Sequence, residues 1–419
     1  MDIVKKVVII TPWLWTHGNK IGMPTVFYTA KGFAEKGYDT HLVVGSNTEE
    51  KTFDYEGLTI HQFKIDISKG EFDAFHSIFE NHYDKFEFQK VKRFWRKGLV
   101  SFLEETSLTK NVDLVYLISP LSCLLANNFL GIKQVWRVMG VNVVPSETGK
   151  IPLSSIKKHP AEYLDFKKLS KISRKVNPLI VITDDGTRGD KLINAMKVKY
   201  RDLVFLKNGV EDFRKSNIED ENFLNDRYAH VYDYLSKLKS QGIKIIISTN
   251  RFAEWKRNDL VLETLEKLVV ERGRKDLLFL FIGGGPQLDV IKKRANTIVD
   301  NTAIFLGPVE RSTLSLWFKL SDIYISMMDL GQLGNSTFEA CLYGLAPVLR
   351  NNGDTSAFFD KSSALLVKDS NEAADAIEYL IENPEVRVSL GRKARNLIVQ
   401  KLGTWENRIE KEIEFIETL

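Results

Sequence analysis

Only two cysteines occur in the 419 residues, Cys123 and Cys341. They lie far apart and neither has a partner at ligand spacing, which excludes a disulfide framework and a zinc site and fits a reducing compartment. No apolar run reaches the roughly 18 residues of a membrane span. The opening stretch, MDIVKKVVIITPWLW, has too short an apolar core for a signal peptide. The chain therefore reads as cytoplasmic and soluble, at most attached to the inner face of a membrane. A strong charge imbalance is missing too: 59 Lys and Arg face 55 Asp and Glu, for a net +4. That balance tilts towards anionic partners without suggesting a nucleic-acid binder. There is no low-complexity tract and no short-period repeat. Neither GxGxxG nor GxxxxGK followed by Ser or Thr occurs, which disfavours a dinucleotide cofactor or a P-loop.

What is present is length, 43% hydrophobic residues, and a repeated alternation of short β-branched runs with helical patterns. Strands are expected at 6–12, 39–45, 112–119, 133–140, 178–185 and 202–209, with a helical pattern at 24–38 after the first. The alternation pauses over the polar stretch 211–242. It restarts with strands at 243–249, 277–285, 302–309, 322–328, 345–350 and 363–369. Such alternation predicts parallel sheets covered on both faces. Two doubly wound α/β domains follow, with a boundary near residue 213 and a cleft between them. Ligands of such sheets bind beyond the carboxyl ends of the strands, so motifs should follow strands.

They do. After strand 243–249 comes NRFAEWKRND, where Arg251 and Lys256 suit a diphosphate, a guanidinium fork and a point charge; a solvated basic loop is the plainer reading. Asp259 is placed to cap the next helix. After strand 277–282 come Gly283, Gly284 and Gly285, which let backbone or ligand approach closely, as a simple tight turn also requires. In GQLGNSTFEACLYGLAPV (331–348) a helix starts near Asn335, Ser336 and Thr337 and ends at Gly344. Ser336 and Glu339 have the spacing of a capping box. The same amides would equally hold an anion at a helix N-terminus, with Glu339 in the first turn gripping something beside it. In the first half, Gly22 precedes a helix start at Pro24, Trp13 and Trp15 are ring faces for stacking, and His17 is a lone loop histidine.

Taken together and in this order, these residues resemble the GT-B glycosyltransferases of family four, a large retaining group that uses nucleotide sugars. The resemblance is carried by Arg251-x4-Lys256, Gly283-Gly284-Gly285-Pro286, FLGPV (305–309), Asp322 before IYIS, Glu339 with Gly344 and Pro347, SLGRKAR (389–395), NGVEDF (208–213) and the Gly22 loop. It implies two tandem Rossmann-like domains, 1–213 on the acceptor side and 214–400 on the donor side. A C-terminal helix, 401–419, would cross back to the first. It implies that Arg251 and Lys256 hold the donor diphosphate and stabilise it as it leaves. Glu339 would bind the ribose, and the amides around Asn335, Ser336 and Thr337 would cap the distal phosphate, with Gly283, Gly284 and Gly22 lining the donor. A UDP-sugar is the expected co-substrate, a saccharide or glycolipid the acceptor, and no cofactor or Asp-x-Asp metal motif is involved.

Two positions depart from the family pattern. Gly331 stands where the family has a first Glu touching the donor sugar, leaving Asp329 as the nearest acid. Met139 stands where it often has a His, leaving Arg137 nearby. Trp13, Trp15, His17, Arg137 and Asp329 are thus the acceptor or sugar candidates. The alternatives are a phosphorylase or nucleotide-sugar epimerase on the same fold, and a degenerate binding homologue. Lastly, KFEFQKVKRFWRKGLVSF (85–102) places Phe88, Val91, Trp95, Leu99 and Phe102 on one helical stripe among Lys90, Lys92, Arg93, Arg96 and Lys97. Such a helix either lies on an anionic membrane or covers the first sheet with a solvated basic face.

Overall fold

A computed structural model describes residues 5–14, 24–46, 48–68, 86–146, 148–184, 188–210, 226–298, 301–309, 313–329, 334–352 and 354–418. The chain divides into two compact units, Met1–Asn208 with Trp405–Leu419, and Gly209–Thr404. The second crossing falls after helix Pro384–Lys401 has closed, so the return begins at Trp405 rather than at 401.

In unit 1 the described strands are β1 (Lys6–Leu14), β2 (Asp39–Ser46), β3 (Lys51–Tyr55), β4 (Leu58–Lys64), β5 (Leu114–Ile118), β6 (Lys133–Val138), β7 (Leu179–Asp184) and β8 (Asp202–Lys207). They form one sheet in the order β3-β4-β2-β1-β5-β6-β7-β8. The β3–β4 hairpin was not read from the sequence, and it makes the sheet mixed, since β3 pairs antiparallel with β4. Its two-residue turn is Glu56-Gly57, both at positive φ, the backbone a tight hairpin requires. Every other pairing in this sheet is parallel. Helix Trp405–Glu417 lies on this unit, burying Trp405, Ile409, Ile413 and Ile416 with Phe27, Ala30 and Phe33 of helix Pro24–Glu35. A Cβ at Gly32 would come within 2.2 Å of Ile409, so this glycine lets the two helices approach.

Unit 2 holds β9 (Lys244–Thr249), β10 (Leu277–Ile282), β11 (Ala303–Gly307), β12 (Ile323–Ser326), β13 (Ala346–Arg350) and β14 (Leu365–Val367). The order is β11-β10-β9-β12-β13-β14, all parallel. LLFLFI of β10 is buried at every position, as expected of a strand covered on both faces. Two of the sequence motifs turn out to pack on each other: a Cβ at Gly391, in SLGRKAR, would meet the Gly344 carbonyl oxygen at 1.9 Å. Gly344 itself ends its helix at φ +80°, the left-handed exit glycine favours.

A histidine pair in unit 1 gives its stability a pH dependence. His61 Nε2 lies 2.9 Å from His41 Nδ1, and Thr52 Oγ1 lies 3.1 Å from His61 Nδ1. Burial pushes the His61 pKa down from 6.5 to about 4, with His41 and Lys6 adding to the shift and Asp39 opposing it. The folded value lies below the unfolded one, so this contribution is complete above pH 6.5 and is lost as pH falls towards about 4. We expect His61→Gln to flatten that part of the profile. Denaturant midpoints of wild type and variant, measured across this window, check it.

Candidate active site

The order of the second sheet reverses between β9 and β12, and a ligand crevice is expected outside their carboxyl ends. The two loops leaving those ends are laced together. Asp329 N donates to the Trp255 carbonyl at 3.0 Å. Lys256 Nζ lies 2.9 Å from Met328 Sδ and 3.9 Å from the centroid of the Trp255 ring. Lys256 is only 9% exposed. Its ammonium is aimed at Gly334, where an added Cβ would lie 3.5 Å from Nζ and 3.7 Å from Ser336 Oγ.

Gly334 is the N-cap of helix Asn335–Leu342, and no side chain caps it. This corrects the capping-box reading. Ser336 lies inside the helix and its hydroxyl pairs with Tyr324 Oη at 3.3 Å, while Thr337 Oγ1 donates to the same oxygen at 3.2 Å. Glu339 is accordingly one turn past Asn335 and not in the first turn, on the same face and buried. The Thr337 amide already donates to the Gly334 carbonyl. A lysine ammonium thus meets the positive end of a helix dipole at a strand-end crevice, a juxtaposition that an anion relieves.

Arg251 sits in the loop after β9, partly exposed, and its carbonyl accepts from Asn258 Nδ2 at 3.1 Å. The glycine turn is stitched to this loop, with Phe252 N donating to the Gly284 carbonyl at 2.9 Å. A Cβ at Gly283 would meet the Asn250 carbonyl oxygen at 2.0 Å, and one at Gly285 the Phe252 oxygen at 2.6 Å; both glycines have φ near the edge of the glycine-only region, +138° and +146°. Gly284 meets nothing closer than Pro308 at 3.5 Å. Gly283 and Gly285 are therefore explained by the neighbouring loop's backbone. Gly283→Ala should destabilise unit 2 by about 1–3 kcal/mol and shift the Arg251 loop; a thermal melt, with nucleotide titrated before and after, checks both.

Other candidates fare differently. Asp329 is held by Arg257, at 3.1 Å, and by Arg350, so it is engaged as a counter-ion and not presented as a lone sugar contact. The helix expected to be capped by Asp259 has Arg257 at its N-cap, and Asp259 pairs with that guanidinium at 2.9 Å. That hydrogen bonding is the first cause of the raised Arg257 pKa. Arg137 is fully buried. Its Nε donates to Thr183 Oγ1 at 3.0 Å and its Nη1 to Thr29 Oγ1 at 2.7 Å, which removes it from the sugar candidates. Met139 packs partly buried against the first core. Trp13 lies on β1, but its side chain, with Trp15, His17, Gly22 and Gly331, falls outside the described residues.

Three things were missed from the sequence. Trp255 and Met328 flank the Lys256 ammonium, and both were visible in their motifs as residues next to a charge. Asn352, after β13, donates to the Met328 carbonyl at 3.2 Å and accepts from Thr355. In unit 1 the sheet order reverses between β1 and β5, and just past β5 stands Ser119 at φ +80°, ψ +154°. That region is nearly restricted to glycine and costs about 1–3 kcal/mol. Among the described residues its buried hydroxyl has no hydrogen-bond partner. Nothing in the motif ISPLS announces the strain.

Two doubly wound α/β units, each with a switch point in its sheet, give the GT-B fold. Residues 236–397 match the family model of Glycosyl transferases group 1. An uncharacterized glycosyltransferase of Methanocaldococcus jannaschii is 24% identical over 273 residues, 64% of this chain and 66% of that protein. Alpha-monoglucosyldiacylglycerol synthase of Streptococcus pneumoniae is 26% identical over 219 residues, 51% of this chain and 47% of that one. The matched stretches thus span less than two thirds of these relatives. Among solved structures, an E. coli trehalose-6-phosphate structure bound with UDP-2-fluoro glucose shares the fold with a TM-score of 0.70 at 13% identity, covering 99% of both chains.

Proposed function

We propose that this chain is a retaining glycosyltransferase that moves a sugar from a UDP-sugar to a saccharide or lipid-linked acceptor without a metal ion. One observation carries the reading: the buried Lys256 ammonium is directed at the N-terminus of helix Asn335–Leu342, at the switch point of the second sheet. The UDP-2-fluoro glucose bound to the E. coli protein of the same fold supports the choice of donor.

In this reading the diphosphate lies against Lys256 and Arg251, and the amides at Asn335 and Ser336 take the distal phosphate. Asn335 and Glu339, on one helical face, take the ribose side. The bond between the sugar's anomeric carbon and the diphosphate oxygen breaks, and its electron pair leaves with the diphosphate. Preorganised cations and amides stabilise that charge as it develops. The acceptor hydroxyl attacks from the same face and gives its proton to the departing phosphate oxygen, so no protein base is needed.

A second reading, nucleotide binding without turnover, is favoured by the engagement of Asp329 and the burial of Arg137. The experiment that separates them incubates the protein with UDP-sugars and candidate acceptors. Transfer yields free UDP and a product whose anomeric proton, read by NMR, keeps the donor's configuration. Binding without UDP release supports the second reading, and an inverted product refutes retention.

A further inference from the structure

The helix Phe86–Thr106 buries Phe88, Val91, Trp95, Leu99 and Phe102, so the apolar stripe read from the sequence is core and cannot reach a membrane. Its outward stripe is a different set. Phe86, Gln89, Arg93, Arg96, Lys97 and Val100 recur at helical spacing on one face. Five of them, with Lys92 and Lys168, line a groove of about 480 Å³. The other wall is helix Pro160–Val176, tied to the first through the buried pair Lys92–Asp165.

The charges lining this groove are of one sign. On helix Pro160–Val176 both acids turn inward: Asp165 takes Lys92 and Lys168, and Glu162 accepts from the Asn142 amide at 2.9 Å. Lys167, Lys168 and Lys171 stay exposed. On the first helix Arg93, Arg96 and Lys97 are exposed and, among the described residues, have no ion-pair partner. Glu104 closes the stripe at its far end. Beside the cations stand two exposed apolar side chains, Phe86 at 82% and Leu164 at 53%; Leu164 is one turn before Lys168.

We infer that this face of unit 1 docks on the surface of an anionic phospholipid bilayer, with headgroup phosphates in the groove and Phe86 and Leu164 at the acyl boundary. A soluble phosphate would use the cations and leave the apolar pair exposed to water. A bilayer takes both at once. The inference stands apart from catalysis, since the binding needs neither nucleotide nor turnover.

The test is flotation of the full-length protein with vesicles of phosphatidylcholine alone and of phosphatidylcholine containing phosphatidylglycerol. The wild type is expected to float only with the anionic vesicles, and less so as salt rises. R93Q/R96Q/K97Q should weaken the partition about a hundredfold, at about fivefold per cation. The matched control K292Q/K293Q/K361Q, on unit 2, should leave it unchanged. Phe86→Ser with Leu164→Ser should weaken it without altering its dependence on anionic lipid. Should the triple variant melt below wild type, Lys168→Gln on the opposite helix asks the same question. Failure of the wild type to float, or equal floating of triple variant and control, overturns the inference. So does variant-sensitive binding of inorganic tripolyphosphate with no flotation, which would mark the groove as a soluble-anion site.

Discussion

Lys256→Met will lower turnover by about a hundredfold to a thousandfold while leaving the melting temperature close to wild type. Methionine keeps the stem that packs over Trp255 and against Met328, and removes only the charge. That charge is buried and preorganised beside a helix N-terminus. In the proposed reaction its stabilisation of a departing diphosphate is little screened by water, and loss of one such donor costs about 3–4 kcal/mol in the transition state. The deficit should fall on kcat more than on KM, because the charge on the leaving oxygen grows only as the bond breaks. Steady-state kinetics with the donor varied at saturating acceptor reads the split. Turnover near that of wild type would remove Lys256 from the chemistry.

Glu412→Ala should destabilise unit 1 by about 3–5 kcal/mol. Glu412 lies in helix Trp405–Glu417 with no exposed surface, accepts from Tyr116 and Arg408, and stands 3.9 Å from Arg137. Two buried guanidiniums thus share one carboxylate, and burial with Arg137 close by already pulls the Arg408 pKa far down. Removing the carboxylate leaves two like charges buried together. The cost arises from the broken pair and not from any large net value of the intact cluster. Arg408→Met combined with Glu412→Leu should recover much of the loss, since an apolar replacement of a buried pair is often neutral. Chemical denaturation, with hydrogen exchange in helix Trp405–Glu417 as the local probe, checks both variants. An unchanged midpoint for Glu412→Ala would mean that water reaches the cluster.

The strands of both sheets were legible because parallel strands covered on both faces leave long apolar runs between turn signals. The β3–β4 hairpin was not, because KTFDY is a largely exposed edge strand and LTIHQFK beside it mixes polar residues into its apolar run. At the site, Lys256 and the start of helix Asn335–Leu342 were legible as polar residues just after strands. What they do to one another was not. The cap is a glycine two positions earlier than the serine that fits a capping box, and Ser336 is drawn away by Tyr324 of β12. Arg137 shows the same limit: an arginine at a strand end reads as a ligand contact, and only the fold shows Thr29, Thr183 and Glu412 around it. Gly283 and Gly285 belong to a motif that suggests a ligand loop, yet each, like Gly391 in its helix, is needed where two backbones touch.

The crevice between β9 and β12 is expected to hold a nucleoside diphosphate. Calorimetric titration of UDP, GDP, ADP and CMP into wild type, Lys256→Met and Glu339→Ala tests it most directly. One diphosphate should bind the wild type, lose about tenfold or more in affinity with either variant, and leave both variants folded. Binding of no nucleotide, or binding that ignores both substitutions, would contradict the assignment.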